Sequence, residues 1–424
     1  MSAGTEMMEL IRELYPLCRS LSGDGVRETL RIVGRHLPLE CHEVPSGTQV
    51  FDWTVPREWN LRDAWIADAD GNRLVDARES NLHVVSYSTP LRRRVSRAEL
   101  HEHLHSLPDR PDWIPYRTSY YHEGWGFCVS EKQRRALDAE SYEVCIDATL
   151  APGHLTYAEC LLPGRSTREI LVSVHVCHPS LCNDNLSGLA VATWLARRLQ
   201  EQEREYGVRF VFVPGTIGSL TWLAHNAEAV GRVAHGMTLV CLGDESPFTY
   251  KRTLSGNAEI DRAAALALAA SGRPHQLIDY FPFGYDERQY NAPGFRLPVG
   301  SLMRGRHGRF PEYHTSADDL DFIGPEALEA SLETCAAILG VVDRNRVIES
   351  RSPFGEPQLG RRGLYGSLGG RTGGRDEEMA LLWVLNQSDG RRSLLDIAER
   401  SDVPFVTIRR AADRLIEAEL LREL

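Results

Sequence analysis

Apolar residues recur in three different patterns along the chain, and each pattern predicts a different kind of structure. In residues 7–37 they fall three and four positions apart on either side of "SGDG", which predicts two short helices joined by a turn. Residues 41–139 instead carry short alternating stretches broken by Pro, Gly and Asp-Gly, the pattern of antiparallel strands. We interpret residues 41–139 as an inserted β-rich domain, because a different pattern resumes after them.

Apolar strands alternate with helices between residues 140 and 346. The strand pattern occurs in "EILVSVHVC", "VRFVFVP" and "GMTLVCLG", and the helical pattern in "GLAVATWLARRLQEQ" and "IDRAAALALAAS". Strands that are apolar throughout must be buried on both faces. Residues 1–40 and 140–346 are therefore predicted to form one α/β domain, a mostly parallel sheet with helices on both faces.

The C-terminal part of the chain has a composition of its own. Residues 347–374 end in the Gly- and Arg-rich stretch "LGRRGLYGSLGGRTGG", which indicates a linker. Residues 375–424 predict a winged-helix-like domain, since "LLDIAERSDVPFVTIRRAADRLIEAELL" has helix-turn-helix spacing with its turn at 401–404. The basic residues of this stretch are offset by acidic ones, namely Arg409, Arg410 and Arg414 by Asp413, Glu417 and Glu419. We therefore expect this domain to contact a protein partner or a second copy of the chain rather than DNA.

Composition excludes several classes of protein. Hydrophobic residues make up 42% of the chain and charged residues 25%. No run of roughly 18 apolar residues occurs, so no membrane span is predicted. The net charge of −11 argues against a nucleic acid partner. The nine cysteines are scattered, and no basic segment precedes an apolar one at the N-terminus, so we expect a cytoplasmic protein with reduced thiols.

Residue types that bind metals follow one predicted strand, in "LVSVHVCHPSLCNDNLSG" at 171–188. His175 and His178 come at the end of its apolar run, and Asp184 precedes a predicted helix. His314 follows much later, in "FPEYHTSADDLDFI". Because parallel strands present their carboxyl ends at one edge of a sheet, we expect these side chains to meet there. Neutral imidazoles and a carboxylate suit zinc with an open position for water.

Further acidic residues are predicted at the same edge. The segments "CLGDESPF" and "GYDERQYNAPGF" contribute Asp244, Glu245, Asp286 and Glu287. Either Asp318 or Asp319 is expected to orient the imidazole of His314 through a hydrogen bond. The coincidence of these segments strengthens the prediction of a metal site.

The quoted segments, together with "PGTIGS", resemble those of the zinc aminopeptidase family that also includes glutaminyl cyclases. The whole chain more closely resembles a bacterial group of aminopeptidase-like proteins, often linked to polysaccharide biosynthesis, that carry an inserted β domain and a C-terminal winged helix. The resemblance implies Asp184 and His314 as zinc ligands, with His175 at the position of the strand-end histidine. Asp244 corresponds to a later strand-end aspartate of the family. His178 has no direct counterpart, although the shortened loop before Asp184 would bring it to the metal.

The chain departs from that family after "VRFVFV". There the family carries two glutamates, a general base and a metal ligand, whereas this chain has "PGTIGS". A single zinc ion is therefore predicted rather than two. Its expected ligands are Asp184, His314 and one of the two early histidines, His175 or His178. The phase of the strand does not decide between those two.

Other residues at the same edge of the sheet are candidates for the general base and for substrate binding. Zinc activates a water but leaves proton transfer to a base. Glu287 is the first candidate for that base and Glu245 the second. Asp286 and Glu245 are expected to hold the substrate's α-ammonium group. Three further binding candidates are Tyr313 and Thr315, as oxyanion donors, and Tyr121, as a pocket-lining residue.

These features together predict a zinc-dependent, aminopeptidase-like hydrolase. It would cleave an amide or peptide bond at the N-terminus of a small peptide or peptide-like intermediate, through a metal-activated water. Two alternatives stay open. One is an amidase or deacylase acting on a sugar or another biosynthetic intermediate, and the other is a catalytically silent scaffold whose site only binds a ligand.

Overall fold

The computed structural model of the chain describes residues 1–364 and 375–424. Within these residues the helices, α1 to α13 in chain order, are Ala3–Leu14, Asp24–Val33, Arg97–Glu102, Glu131–Ala136, Gly188–Gln200, Ile217–His225, Ala227–Arg232, Glu259–Ala270, Glu287–Tyr290, Pro325–Arg344, Arg375–Gln387, Leu394–Ser401 and Phe405–Glu417. The strands, β1 to β19, are Glu40–Pro45, Gln49–Val50, Trp53–Thr54, Glu58–Ala67, Arg73–Asp76, Leu91–Ser96, Leu104–His105, Phe127–Cys128, Ser141–Ala151, His154–Leu162, Glu169–His175, Gly207–Val213, Val233–Leu239, Phe248–Lys251, His275–Ile278, Val299–Met303, Val347–Ser350, Asp389–Ser393 and Leu421–Glu423. The chain divides into two compact units, Met1–Gly256 with Gln276–Glu333, and Asn257–His275 with Thr334–Leu424.

An eight-stranded sheet forms the centre of the first unit, in the order β1-β10-β12-β11-β13-β16-β14-β15. Its four inner strands, β12, β11, β13 and β16, run parallel, and the outer pairs β1–β10, β10–β12 and β14–β16 run antiparallel. Every residue of the four inner strands is buried. Since side chains alternate between the faces of a strand, burial at every position means that both faces are covered. The predicted α/β fold is confirmed.

Two charged residues, Glu169 of β11 and Arg209 of β12, interrupt the apolar pattern of these inner strands. Arg209 in β12 is buried between two glutamates, with N–O distances of 2.8 Å to Glu159 and 2.6 Å to Glu169. Trp222 also donates its indole N–H to Glu159. Paired and hydrogen-bonded in this way, the charges are tolerated inside the sheet.

The inserted region forms a separate four-stranded antiparallel sheet in the order β5-β4-β9-β6. Its boundaries differ from the predicted 41–139 at both ends. Strand β1 belongs to the large sheet, where Val44 pairs with Leu155. Strand β9, at 141–151, belongs instead to the inserted sheet, where Ile146 pairs with Ala64 and Leu91. Alternation along a strand reports which face is buried, but it does not report which strand lies alongside.

The second unit contains the helix-turn-helix that the sequence predicts. Helix α12 ends at Ser401, Asp402 takes a left-handed conformation with φ 55°, and Pro404 precedes α13. A three-stranded sheet in the order β18-β17-β19 completes the winged-helix arrangement. Helix α12 also contacts α8, where Arg262 pairs with Asp396 at 2.6 Å and with Glu399 at 2.5 Å.

The predicted linker at 347–374 begins too early. Val347–Ser350 is strand β17, which pairs with both other strands of the small sheet. Only Ile348 of this strand is buried, so four residues offered no periodicity from which to recognise it. Residues 351–364 contain a single 3₁₀ turn at Gly360–Arg362, and the Gly-rich remainder of the predicted linker, 365–374, lies outside the described residues.

Two expectations from composition can be compared with the structure. No helix in the described part of the chain is both long and apolar enough to cross a membrane. All nine cysteines are free thiols, and seven of them are buried. Burial raises the pKa of Cys177 to about 12, so this thiol, next to the candidate site, stays protonated.

Candidate metal site

The carboxylate of Asp184 stands among three imidazoles. His175 Nε2 lies 2.8 Å from Asp184 Oδ1, and His314 Nε2 lies 2.9 Å from Asp184 Oδ2. His178 Nδ1 lies 3.5 Å from Oδ1. The structure thus brings together four of the five predicted ligands, including both early histidines. The side chains of His175, His178 and Asp184 are buried, and that of His314 is partly exposed.

The backbone around Asp184 is held by a segment more than a hundred residues away. His175 is the last residue of β11, and Asp184 lies in an irregular π-helical turn, Cys182–Ser187, before α5. Asp318 accepts hydrogen bonds from the backbone N–H groups of Asn183, at 2.5 Å, and Asp184, at 3.0 Å. Asp318 therefore orients the turn that carries Asp184.

The prediction that Asp318 or Asp319 orients His314 is wrong. Asp318 is occupied by backbone amides, and burial raises its pKa to about 8. Asp319 accepts from the backbone N–H groups of Asp321 and Phe322. Asp319 thus forms local turn contacts, whereas Asp318 bonds to a distant turn, and local sequence spacing distinguishes neither from a bond to an imidazole.

His314 is positioned in part by the inserted region. Its carbonyl accepts a hydrogen bond of 2.8 Å from the backbone N–H of Tyr116, and its ring stacks on Tyr313 with ring centres 3.9 Å apart. The ring of Tyr116 meets both His314 and His178 edge-on, at 5.1 and 5.2 Å. Nothing in the local sequence of Tyr116 links it to a metal site, so sequence reasoning missed it.

The electrostatics of the cluster favour neutral imidazoles at His175 and His314 and a charged carboxylate at Asp184. Burial lowers the pKa of His175 to about 4 and also lowers the pKa of His314, although Asp184 opposes both shifts. Burial opposes ionisation of Asp184, but its electrostatic interaction with His178 and hydrogen bonds with all three histidines hold its pKa well below the usual range. These are the protonation states in which the side chains bind a metal.

Asp244, the fifth predicted ligand, lies outside this cluster. Its Oδ2 accepts from the Asn183 side-chain amide at 3.0 Å, and its Oδ1 accepts from the backbone N–H of Ser246 at 2.9 Å. Asp244 thus braces the residue next to Asp184. Its neighbour Glu245 is exposed at the surface.

Asp286 and Glu287 both bind side chains outside the cluster around Asp184. Glu287 forms a fully buried ion pair with Lys251 at 2.8 Å and accepts from the backbone N–H of Tyr285 at 3.0 Å. This placement differs from the predicted role of Glu287 as the general base. Asp286 accepts a hydrogen bond of 2.8 Å from Ser219 Oγ, and burial raises its pKa to about 7.

A cavity of about 510 Å³ opens beside the cluster. It is lined by Leu21, Trp53, Tyr116, Arg117, Thr118, Tyr120, Tyr121, His178, Gly215, Thr216, Ile217, Tyr285, Arg288 and His314. Tyr121 is therefore the one predicted substrate-binding residue in this lining. Tyr313 and Thr315 are not part of it, and the Thr315 hydroxyl donates to the backbone carbonyl of Glu312 at 2.7 Å.

Tyr285 is a further residue that sequence reasoning missed. Its ring lies 3.9 Å from that of His175, and its hydroxyl lies 3.4 Å from His178 Nε2 and 3.3 Å from Cys177 Sγ. The ring packs directly on Gly215, where an added Cβ would lie 2.1 Å from a ring carbon. In this arrangement no glutamate fits at Gly215, in the segment "PGTIGS" where the resemblance led us to expect a glutamate pair.

Arg19 was also missed. It is buried in the segment between α1 and α2, and its Nε donates a hydrogen bond of 3.0 Å to the carbonyl of His178. A second guanidinium nitrogen donates to the carbonyl of Leu14 at 2.6 Å. Burial lowers the pKa of Arg19 to about 10, so it remains charged at neutral pH and fixes the backbone at His178.

Comparison with known proteins covers nearly the whole chain. Residues 8–345 match a family described as a domain of unknown function (DUF4910), and residues 346–423 match a winged helix-turn-helix family. A protein of Clostridium acetobutylicum, named as a polysaccharide biosynthesis protein with an aminopeptidase-like domain, is 46% identical over 419 residues. That match covers 99% of this chain and 96% of the relative.

Solved structures with the same fold include one close and one distant relative. The crystal structure of a Clostridium acetobutylicum protein described as a peptidase has a TM-score of 0.95 and 45% identity, over 99% of this chain and 96% of that one. BSAP, a zinc aminopeptidase of Bacillus subtilis, has a TM-score of 0.57 and 13% identity, over 79% of this chain and 94% of that one. The latter likeness concerns the fold alone. The chain therefore belongs to the DUF4910 family of aminopeptidase-like proteins and carries a C-terminal winged helix.

Proposed function

We propose that the protein is a zinc-dependent hydrolase that cleaves an amide bond through a metal-activated water. The observation that carries the proposal is the buried Asp184 carboxylate with two imidazole nitrogens within 2.9 Å of its oxygens. Three imidazoles and a carboxylate form a donor set that suits zinc. The aminopeptidase-like domain named in the 46% identical relative supports the same conclusion.

Three residues are proposed to hold the ion: His175, Asp184 and His314. Of the three histidines, His175 and His314 bring a nitrogen closest to the Asp184 carboxylate, and a catalytic zinc typically has three protein ligands and an open position. When bound, zinc would lower the pKa of a water and polarise the substrate carbonyl. The low pKa of His175 keeps its nitrogen free to bind the ion over the physiological range.

His178 is proposed to act as the general base that takes a proton from the attacking water. It lines the cavity, whereas His175 does not, and its Nε2 faces the Tyr285 hydroxyl at 3.4 Å. Its Nδ1 faces the backbone carbonyl of Asp184 at 3.2 Å, which fixes the orientation of the ring. An imidazole accepts and releases protons near neutral pH. Glu287 and Glu245 have less geometric support as the general base. Glu287 is paired with Lys251, and Glu245 is exposed and does not line the cavity.

A second candidate function, an amidase or deacylase, is favoured by the absence of acidic side chains from the cavity. Among the described residues that line it, none is Asp or Glu. A carboxylate is the usual partner of a substrate's α-ammonium group, and Asp286 and Glu245 do not supply it. The relative's name refers to polysaccharide biosynthesis, and an acylated amino sugar would present an amide without an ammonium group.

The experiment combines elemental analysis with an activity screen on the purified full-length chain. We expect about one zinc per chain, lost in His175→Ala and His314→Ala but retained in His178→Ala and in the exposed control His275→Ala. Amino acid anilides and N-acyl compounds separate the two candidate functions. His178→Ala should lower kcat by about 100-fold or more while zinc stays bound. Absence of zinc from the native chain after incubation with the metal would refute the proposal.

A further inference from the structure

Two arginines line the cavity without a charged partner. Arg117 and Arg288 are both exposed, and within residues 1–364 and 375–424 neither guanidinium forms an ion pair. Several other exposed arginines of the first unit are paired, as Arg73 is with Asp63 and Asp76. An unpaired guanidinium keeps all its donors available for a ligand.

In the described part of the chain, neither acidic residue beside Arg288 forms an ion pair with these arginines. Asp286 and Glu287, next to Arg288 in sequence, point to Ser219 and Lys251 respectively. The cavity itself carries no Asp or Glu among its described lining residues. The charged side chains of the described lining are therefore both arginines, which attract an anion and repel a substrate ammonium group.

Aromatic side chains form another part of the same lining. Trp53 and Tyr121 remain 47% and 46% exposed, although their ring centres are only 5.5 Å apart. Large aromatic surfaces left open in a cavity favour contact with a flat or cyclic part of a ligand. His178 and His314 stand in this lining too, so a ligand held here lies next to the candidate metal site.

We propose that the substrate carries a negatively charged group, a carboxylate or a phosphate, which Arg117 and Arg288 bind. A ring or other flat part of that substrate packs on Trp53 and Tyr121, and its amide faces His178 and His314. Guanidinium groups match both kinds of anion through paired N–H donors. The inference rests on the proposed amide hydrolysis and gives it a substrate class, an acidic N-acyl compound rather than a peptide with a free N-terminus.

The test measures binding rather than turnover. The full-length chain is stripped of metal with a chelator, so that an anion has no ion to coordinate, and is titrated calorimetrically. Three matched probes share one ring: N-acetylphenylalanine, its neutral amide, and phenylalaninamide, which carries an ammonium group. We expect the anion to bind about tenfold more tightly than the neutral compound, and the cation to bind more weakly than either.

The variants locate the preference. Arg117→Ala/Arg288→Ala should reduce the tenfold difference to below about twofold, and Arg117→Lys/Arg288→Lys should restore part of it. Arg94→Ala, an exposed arginine of the inserted sheet outside the cavity, is the matched control and should bind like the native chain. Phenyl phosphate, compared with benzoate, then separates phosphate from carboxylate recognition.

The outcomes separate this inference from the proposed function. Equal binding of the anionic and neutral probes overturns the inference, as does a preference that survives the double alanine variant. No binding of any probe at about 10 mM also overturns it. A preference in a chain that never binds zinc would support the anion site and refute the hydrolase. Zinc binding without a preference for the anionic probe would refute the anion site and leave the proposed hydrolase standing.

Discussion

Asp184 and Glu287 are both buried carboxylates on segments that the sequence assigned to chemistry, but they have different surroundings. Asp184 faces three imidazoles. These hydrogen bonds can be exchanged for bonds to a metal ion, which the carboxylate and the imidazoles would bind together. Glu287 faces the ammonium group of Lys251, which is itself completely buried. A carboxylate that is paired with a buried counter-ion contributes to the stability of the fold. A carboxylate that is bonded to imidazoles remains available to bind a metal ion.

The largest expected effect concerns the first of these carboxylates. Asp184→Asn keeps the shape but removes the charge that faces His175 and His314, so we expect the affinity for zinc to fall by more than about 100-fold. Glu287→Gln should leave zinc affinity within about threefold of the native value. Metal titration with a competing chelator measures both, and equal losses in the two variants would contradict the distinction.

The second effect concerns stability. Glu287→Gln leaves the Lys251 ammonium buried without its counter-ion, and we expect the free energy of unfolding to fall by about 3–5 kcal/mol. Lys251→Met/Glu287→Gln removes both charges and should recover most of that loss. Urea unfolding measures the change, with the exposed Glu245→Gln as a control expected within about 0.5 kcal/mol. If the double variant is no more stable than Glu287→Gln, the ion pair is not the cause.

A smaller effect depends on pH. Burial raises the pKa of Asp286 from 3.8 to about 7, so between about pH 4 and 7 the folded chain holds a proton that the unfolded chain releases. This contribution to stability is greatest at low pH and is lost as the pH rises through 7. The stability of Asp286→Asn relative to the native chain should therefore rise by about 2–3 kcal/mol between pH 5 and pH 8. A constant difference across that range would show that Asp286 does not titrate as stated.

The segment around the two early histidines was the part of the site best predicted from sequence. His175, His178 and Asp184 are close in the chain, and the end of β11 brings them together with little dependence on other elements. His314 was also identified, because its motif could be matched as a unit. The resemblance did not reveal that both early histidines approach Asp184, since that depends on the course of the turn at 182–187.

The roles of the other acidic residues could not be read from the sequence. Glu287 meets Lys251 across 36 positions, and Asp318 meets the backbone of Asp184 across 134. An acidic residue at the end of an apolar stretch has the same local pattern whether it binds a substrate, caps a turn or pairs with a buried lysine. Which of these it does depends on the segment that packs against it.

The sequence by itself determined the alternation of strands and helices, the helix-turn-helix and the presence of ligand residues at one edge of the sheet. It did so because burial of one face or of both faces leaves a local periodic pattern. The tertiary structure alone decided that Tyr116 of the inserted region contacts the histidines, that Tyr285 packs on Gly215, and that two unpaired arginines face the cavity. These contacts join segments far apart in the chain, and their geometry follows from close packing rather than from any pattern within a segment.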